Sequence, residues 1–226
     1  MLKMDRGIAL LTSIGSGICG AAAILGAEST IQTKPYKTAV AVSTVVIFGT
    51  ISMFIYPILY HNGTFVLSAN EMGIFTGATL HEVAHTVGAG NAMGKEISDV
   101  AIIVKMIRVM MLPVLLITSF MVSQPAIKAG EQNGSMKKVS IPWFAIGFLA
   151  VIGFNSFDLL PQSLTAFINN VDTFLLTMAM TALGAETSID KFRKAGAKPF
   201  VLASILYIWL IAGGYFLVKY MAPIFM

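Results

Sequence analysis

The sequence predicts an all-α, polytopic membrane protein of about seven membrane segments, some with discontinuous helices. Three observations predict it. Of 226 residues, 56% are hydrophobic and only 12% charged, where soluble domains run at roughly 45–50% and about 25%. The apolar residues fall in runs close to the roughly 20 residues that cross a bilayer as helix. The runs are joined by short connections that leave no room for a soluble domain, so residues 1–226 read as a single transmembrane domain.

The first segment, 7–30, begins in "MLKMDRGIALLTSIGSGICGAAA", which has the basic start, apolar stretch and small residues of a signal peptide. It reads instead as a retained span that breaks at Gly15, Gly17 and Gly20; Ile18 stands before Cys19 where lipoprotein processing wants a small residue. The remaining segments lie near 36–60, 71–90, 97–122, 141–157, 164–187 and 199–222. The 71–90 segment carries Glu71, His81, Glu82 and His85, so a re-entrant hairpin supported by protein is the alternative to a crossing there. Turn formers punctuate the chain at Lys34-Pro35, His61-Asn62-Gly63, Asn91 to Gly94, Gln132-Asn133-Gly134 and Lys198-Pro199.

The net charge is +4, from basic residues scattered between segments with no aromatic-interleaved stripe. That pattern suits loops near anionic lipid and excludes a nucleic-acid partner. One cysteine, Cys19, excludes an internal disulfide and a cysteine-based zinc cage. The fourteen methionines read as lipid-facing or core filler. If all segments cross, Lys3 and Arg6 share one side with the 123–140 loop (Lys128, Lys137, Lys138) and the 188–198 loop (Lys191, Arg193, Lys194, Lys198). The excess of Lys and Arg makes that side cytoplasmic.

An internal similarity organises the chain. Leu25 to Ile31 reads LGAESTI and Leu183 to Ile189 reads LGAETSI, each closing a glycine-interrupted segment and each followed by Lys-Pro and a long apolar run. Five segments separate the copies, an odd number, so the copies have inverted topology, as in secondary transporters that bind at broken helices near the midplane. Residues 1–65 then form the end of a first repeat and 66–226 the second. By that count about three spans of the first repeat belong to a longer protein or to another polypeptide.

The stretches GICGAAAI (17–24), FGTISMFIYPIL (48–59), GATLHEVAHTVGAG (77–90), VKMIRVMMLPV (104–114) and AMTALGAETS (179–188) together resemble the YeiH-type family of bacterial inner-membrane proteins. That family is known under the name of sulfate exporters and is related in fold to the bile-acid/sodium symporter class of inverted-repeat carriers. The resemblance implies a 5+5-span carrier. Two departures stand out: the family usually has glutamine where this chain has His85, and its members are longer by an N-terminal block.

Within this frame "TLHEVAHTVGAG" (79–90) holds H-E-x-x-H, the spacing at which a helix offers two imidazoles to zinc and a glutamate to water. An intramembrane zinc protease would use His81, Glu82 and His85 and need a third ligand from Asp158, Asp172 or Glu186. Asp158 sits in Phe-Asp-Leu-Leu-Pro, outside the Leu-Asp-Gly context of such proteases, and Glu186 belongs to the repeated LGAETS. The favoured reading is a carrier with no catalytic residue, metal or cofactor. Ionisable groups at bilayer depth cost about 2.5–3.5 kcal/mol each and must be paired, hydrated or near an interface. Here His81 and Glu82 form a proton- or sodium-coupling pair, and Lys105 and Arg108, i and i+3 on one helix face, supply positive charge to a small anion. The structural alternative pairs Glu82 with one cation while the other reaches the boundary. Ser16 and Cys19 line the first glycine break, and a second break is expected near Thr181 to Gly184. Glu28 and Glu186 end the two copies as cation sites or interface residues. The expected partners are the lipid bilayer and the anion, with a homo-oligomer or a missing N-terminal half; a non-transporting fragment is the third reading.

Overall fold

The computed structural model describes residues 4–31, 33–112, 160–186 and 196–225, with isolated positions between 147 and 157. Eight helices and no strand occur among them. Two are long and apolar enough to cross a membrane by length and composition. In α3 (Pro35–His61) and in the Ala197–Ala222 part of α8 (Ala197–Phe225), the mean hydropathy reaches 2.1. Pro35 opens α3, where its missing N–H removes no helical bond. These helices match the expected segments 36–60 and 199–222.

The expected span 7–30 is not one rod. It is α1 (Arg6–Gly17) and α2 (Ala21–Ile31), separated by Ile18–Gly20. Asp5 caps α1 by accepting the Gly7 and Ile8 amides. Gly20 has φ +70, a left-handed conformation that L side chains resist, and there the chain reverses. A methyl group on Gly7, at the start of α1, would lie 3.2 Å from Thr33 Cγ2, just past the end of α2. Lys37 Nζ meets Asp5 Oδ2 at 2.9 Å. The entry of α1, the exit of α2 and the start of α3 therefore share one end of the molecule.

Residues 71–90 behave in the same way from the other end, which answers the choice between crossing and hairpin. Ser68 and Glu71 form a reciprocal cap on α4 (Ala69–Thr79), with Ser68 N donating to Glu71 Oε2 at 2.7 Å. The helix stops at Leu80–Glu82 and the chain returns as α5 (Val83–Met93). Gly73 of α4 packs on Ile97 and Val100, while Gly90 of α5 packs on Ser98, so both outer ends meet the same end of α6 (Lys95–Met110). His61 Nε2 lies 3.1 Å from Ala92 O, placing the end of α5 beside the end of α3. Each of these four helices is about 17 Å long, roughly half of a ~30 Å hydrocarbon core.

Gly94, with φ +137, makes the sharp turn into α6. This helix runs from the base of the second hairpin to the first, where Leu112 joins its core. The first core gathers Leu11, Ile14, Ile24 and Val45; the second gathers Tyr56, Met72, Phe75 and Leu80, sealed by Val218 of α8. Helix α7 (Gln162–Glu186) runs through Thr181–Gly184 as continuous helix, so the break expected there is absent. A helical glycine costs only about 1 kcal/mol, too little to interrupt 25 residues. The second break lies instead at Leu80–Glu82. Segment 97–122 is described to Leu112, with α6 ending at Met110; most of 141–157, the 123–140 loop and Asp158 lie outside the described residues. Large apolar side chains including Phe54, Ile58, Trp209 and Phe167 are exposed around this core, a surface suited to lipid.

Candidate functional site

The two hairpin tips, Ile18–Gly20 and Leu80–Glu82, meet between the two apolar cores. A methyl on Gly20 would lie 2.6 Å from Glu82 Cγ, and Glu82 Oε1 accepts the Ala21 amide at 3.3 Å. Glu82 thus caps the N-terminus of α2, where unpaired amides and the positive dipole end favour a carboxylate.

The cations do the complementary work. α1 and α4 end at the junction, and their last carbonyls lack helical partners. Lys105 Nζ, fully buried, donates to Ile18 O at 3.0 Å, Leu80 O at 2.6 Å and His81 O at 2.7 Å. Three acceptors match the three N–H bonds of an ammonium. Arg108, one turn on, donates from Nε to Gly17 O (2.9 Å), from Nη1 to Ala78 O (2.7 Å) and Leu80 O (2.9 Å), and from Nη2 to Ser16 O (2.6 Å). A buried ion costs several kcal/mol unless its donors are met. These hydrogen bonds meet them, each contributing about 1.5–3 kcal/mol net when one partner is charged. The spacing that puts Lys105 and Arg108 on one face is as expected. Their partners are backbone carbonyls of both tips, and no ion pair to Glu82 forms from either cation among the described residues.

Ser16 and Cys19 sit where the first break was expected to place them. Ser16 is in the last turn of α1 and Cys19 in the tip, both buried. The two histidines do not share a helix face. His81 lies in the non-helical tip and α5 begins only at Val83, so H-E-x-x-H straddles a chain reversal. Asp172 and Glu186 belong to α7, and among the described residues no three His, Cys, Asp or Glu side chains are placed to hold a metal.

His85, rather than His81, accompanies Glu82: its Nδ1 is 3.8 Å from Glu82 Oε2. Its Nε2 lies 3.3 Å from Thr50 Oγ1, which gives its own hydrogen to Val46 O at 2.8 Å. With the Thr50 hydrogen given to Val46 O, the tautomer protonated at Nε2 suits that contact, and Nδ1, without a hydrogen-bond partner, is the nitrogen on the Glu82 side. Gly49 makes the approach feasible, since a methyl there would lie 2.5 Å from His85 Nδ1. His81 turns its ring toward Tyr207 of α8, centroids 6.4 Å apart. Tyr207 OH lies 3.0 Å from Ser52 Oγ, and Tyr56 OH lies 3.0 Å from Thr79 Oγ1. The sequence reading missed Gly49, Thr50, Ser52, Tyr56, Thr79 and Tyr207. The usable signal was a run of hydroxyls at Thr44, Thr50, Ser52 and Tyr56 within an otherwise apolar span.

A model of the family described as conserved hypothetical protein 698 matches residues 1–203. A UPF0324 membrane protein of Bacteroides thetaiotaomicron is 73% identical over 227 residues, covering 100% of this chain and 68% of that protein. A UPF0324 membrane protein of Bordetella bronchiseptica is 50% identical over 220 residues, covering 97% and 68%. The UPF0324 inner membrane protein YeiH of Escherichia coli is 46% identical over 212 residues, covering 93% and 60%. The chain thus spans between 60% and 68% of the length of these relatives. No solved structure matches it.

Proposed function

The chain belongs to the UPF0324 membrane-protein family, and from that premise we propose that it is a secondary carrier moving a small anion across the bacterial inner membrane by alternating access. The observation that carries the reading is the meeting of two opposed hairpin tips, each hairpin half a bilayer deep, in a polar junction between separate apolar cores. Read as re-entrant, the hairpins enter from opposite faces and place interrupted backbone at the midplane, the arrangement in which inverted-repeat carriers bind. Non-helical backbone at that depth is tolerable only where protein or a watered cavity satisfies it. The return helices α2 and α5 begin at the tips; the Glu82 carboxylate occupies the α2 end, and the N-terminal amides of α5 suit an anion. Lys105 and Arg108 hold the carbonyl ends in place and supply positive potential without direct contact.

Sulfate or a related oxyanion is the first species to try, a choice resting only on the name under which the family is known. Glu82 and His85 are the coupling pair we propose: the two titratable groups stand 3.8 Å apart, too far for a direct hydrogen bond and close enough for the protonation of one to bias that of the other. No covalent chemistry is required. The test is uptake of labelled sulfate, thiosulfate and phosphate into vesicles reconstituted with the chain. One anion is expected to exceed the protein-free rate, and Glu82→Gln is expected to lower its flux at least about tenfold, the effect of about 1.4 kcal/mol. Flux of every anion at the protein-free level would end the carrier reading.

A further inference from the structure

Six backbone carbonyls converge on two side-chain cations at the junction: those of Ser16, Gly17 and Ile18 from the first tip, and of Ala78, Leu80 and His81 from the second. Ends of interrupted helices and unwound carbonyls are the groups with which inverted-repeat carriers coordinate a free monovalent cation. Each helix C-terminus carries about half a negative charge. Two such ends facing each other in a buried place repel and require a cation between them. In this chain that place is filled by Lys105 Nζ, whose three carbonyl contacts at 2.6–3.0 Å draw on both tips at once.

We propose that Lys105 is a tethered cation occupying a carbonyl site for a small monovalent cation. The two tips are joined without any ion from solution, and a chain lacking the tether takes up ammonium or potassium in its place. The contact distances are those of N–H···O hydrogen bonds, so ammonium is the best-matched probe. Arg108 keeps its own four contacts and preserves the frame around the vacated site. The consequence is specific: an untethered cation couples tip closure to solution ions, whereas a tethered one removes that dependence.

Cys19 reports on the junction. It is the only cysteine in the sequence, it is buried, and it follows Ile18, whose carbonyl Lys105 holds. The experiment measures the rate at which a membrane-permeant maleimide labels Cys19 in vesicles, at one pH and constant ionic strength, in choline, sodium, potassium or ammonium chloride. The wild type is expected to label slowly and equally in all four salts. Lys105→Ala is expected to label at least about tenfold faster in choline, the effect of losing even one of its three charge-assisted hydrogen bonds, and to slow saturably with ammonium or potassium. Lys105→Met, which fills the space without charge, is expected to label fast in every salt. Wild-type protection that depends on the salt, a Lys105→Ala rate indifferent to every cation, or protection retained by Lys105→Met each overturns the proposal. Should Lys105→Ala fail to accumulate, the wild-type and Lys105→Met rates decide. The readout is accessibility rather than flux, so this result and the carrier test fail independently.

Discussion

At the scale of single residues, the junction is sensitive to groups that carry no charge. Gly49 is the clearest. A methyl there would lie 2.5 Å from His85 Nδ1 and 2.7 Å from Cε1, so Gly49→Ala must displace a fully buried imidazole and its contact with Thr50. Overpacking of this kind costs about 1–3 kcal/mol. The expected outcome is a lower thermal midpoint in detergent for Gly49→Ala, with most of the loss recovered in Gly49→Ala/His85→Ala relative to His85→Ala alone. Additive losses would show that the two do not touch. Asp5 makes a smaller contribution with a defined pH window. The Lys37 ammonium, followed by the Ile8 and Gly7 amides, holds its carboxyl below the usual carboxylate range despite an opposing effect of partial burial. A depressed acid stabilises above its unfolded pKa, about 3.9, and loses that contribution as pH falls through the lower folded value. Because the side chain is 42% exposed, salt screens the pair and the contribution is of order 1 kcal/mol or less. Wild type and Asp5→Asn are therefore expected to differ in thermal midpoint at pH 6 and to converge below about pH 4; a constant difference down to pH 3 would contradict this assignment.

At the scale of elements, the two hairpins change where the connections emerge. If 71–90 crossed the membrane, Asn62 and Asn91 would lie on opposite faces. With α4 and α5 folded back, both lie at one end of α3, where His61 meets Ala92. In a Cys19→Ser background, Asn62→Cys and Asn91→Cys are expected to react with an impermeant thiol reagent from the same side of the membrane. Labelling from opposite sides would restore the crossing. This reversal was only partly legible in the sequence. A 25-residue apolar stretch that crosses and two half-length helices that turn back have the same composition, and hydropathy does not separate them. Of the three glycines expected to break the first segment only Gly20 does, because it takes a left-handed conformation, whereas Gly15 and Gly17 lie inside α1. Glycine misled again at Gly184, where nothing in the helical path requires a left-handed conformation. The second tip has no glycine, and its signal was electrostatic: His81 and Glu82 are too costly for a lipid-facing helix. The same argument singled out Lys105 and Arg108. It left their partners hidden, because backbone carbonyls become acceptors only once the breaks are placed.

At the scale of the whole molecule, the two reversals cancel in their effect on orientation. Seven crossings put the N-terminus and the chain beyond α6 on one side; turning two of those crossings back removes an even number and leaves the assignment unchanged. The packing agrees. α1 enters beside Lys37, and α6 passes the junction at Lys105 and reaches the first core at Leu112. α8 sets off from the same end, since Tyr207 lies beside Phe48 and Lys219 reaches Val66 further along. Arg6, Lys34, Lys37 and Lys198 therefore gather at one end, against Lys95 and Lys219 at the other, and the basic end is expected to face the cytoplasm. In the Cys19→Ser background, Gly196→Cys should be shielded from an impermeant maleimide in intact spheroplasts and labelled in inverted vesicles, with Gly63→Cys showing the reverse. Both sites labelled from one side would mean that α3 or α8 does not cross. The reverse of both patterns would leave the hairpins intact and turn the molecule over, so that the first hairpin opens to the periplasm.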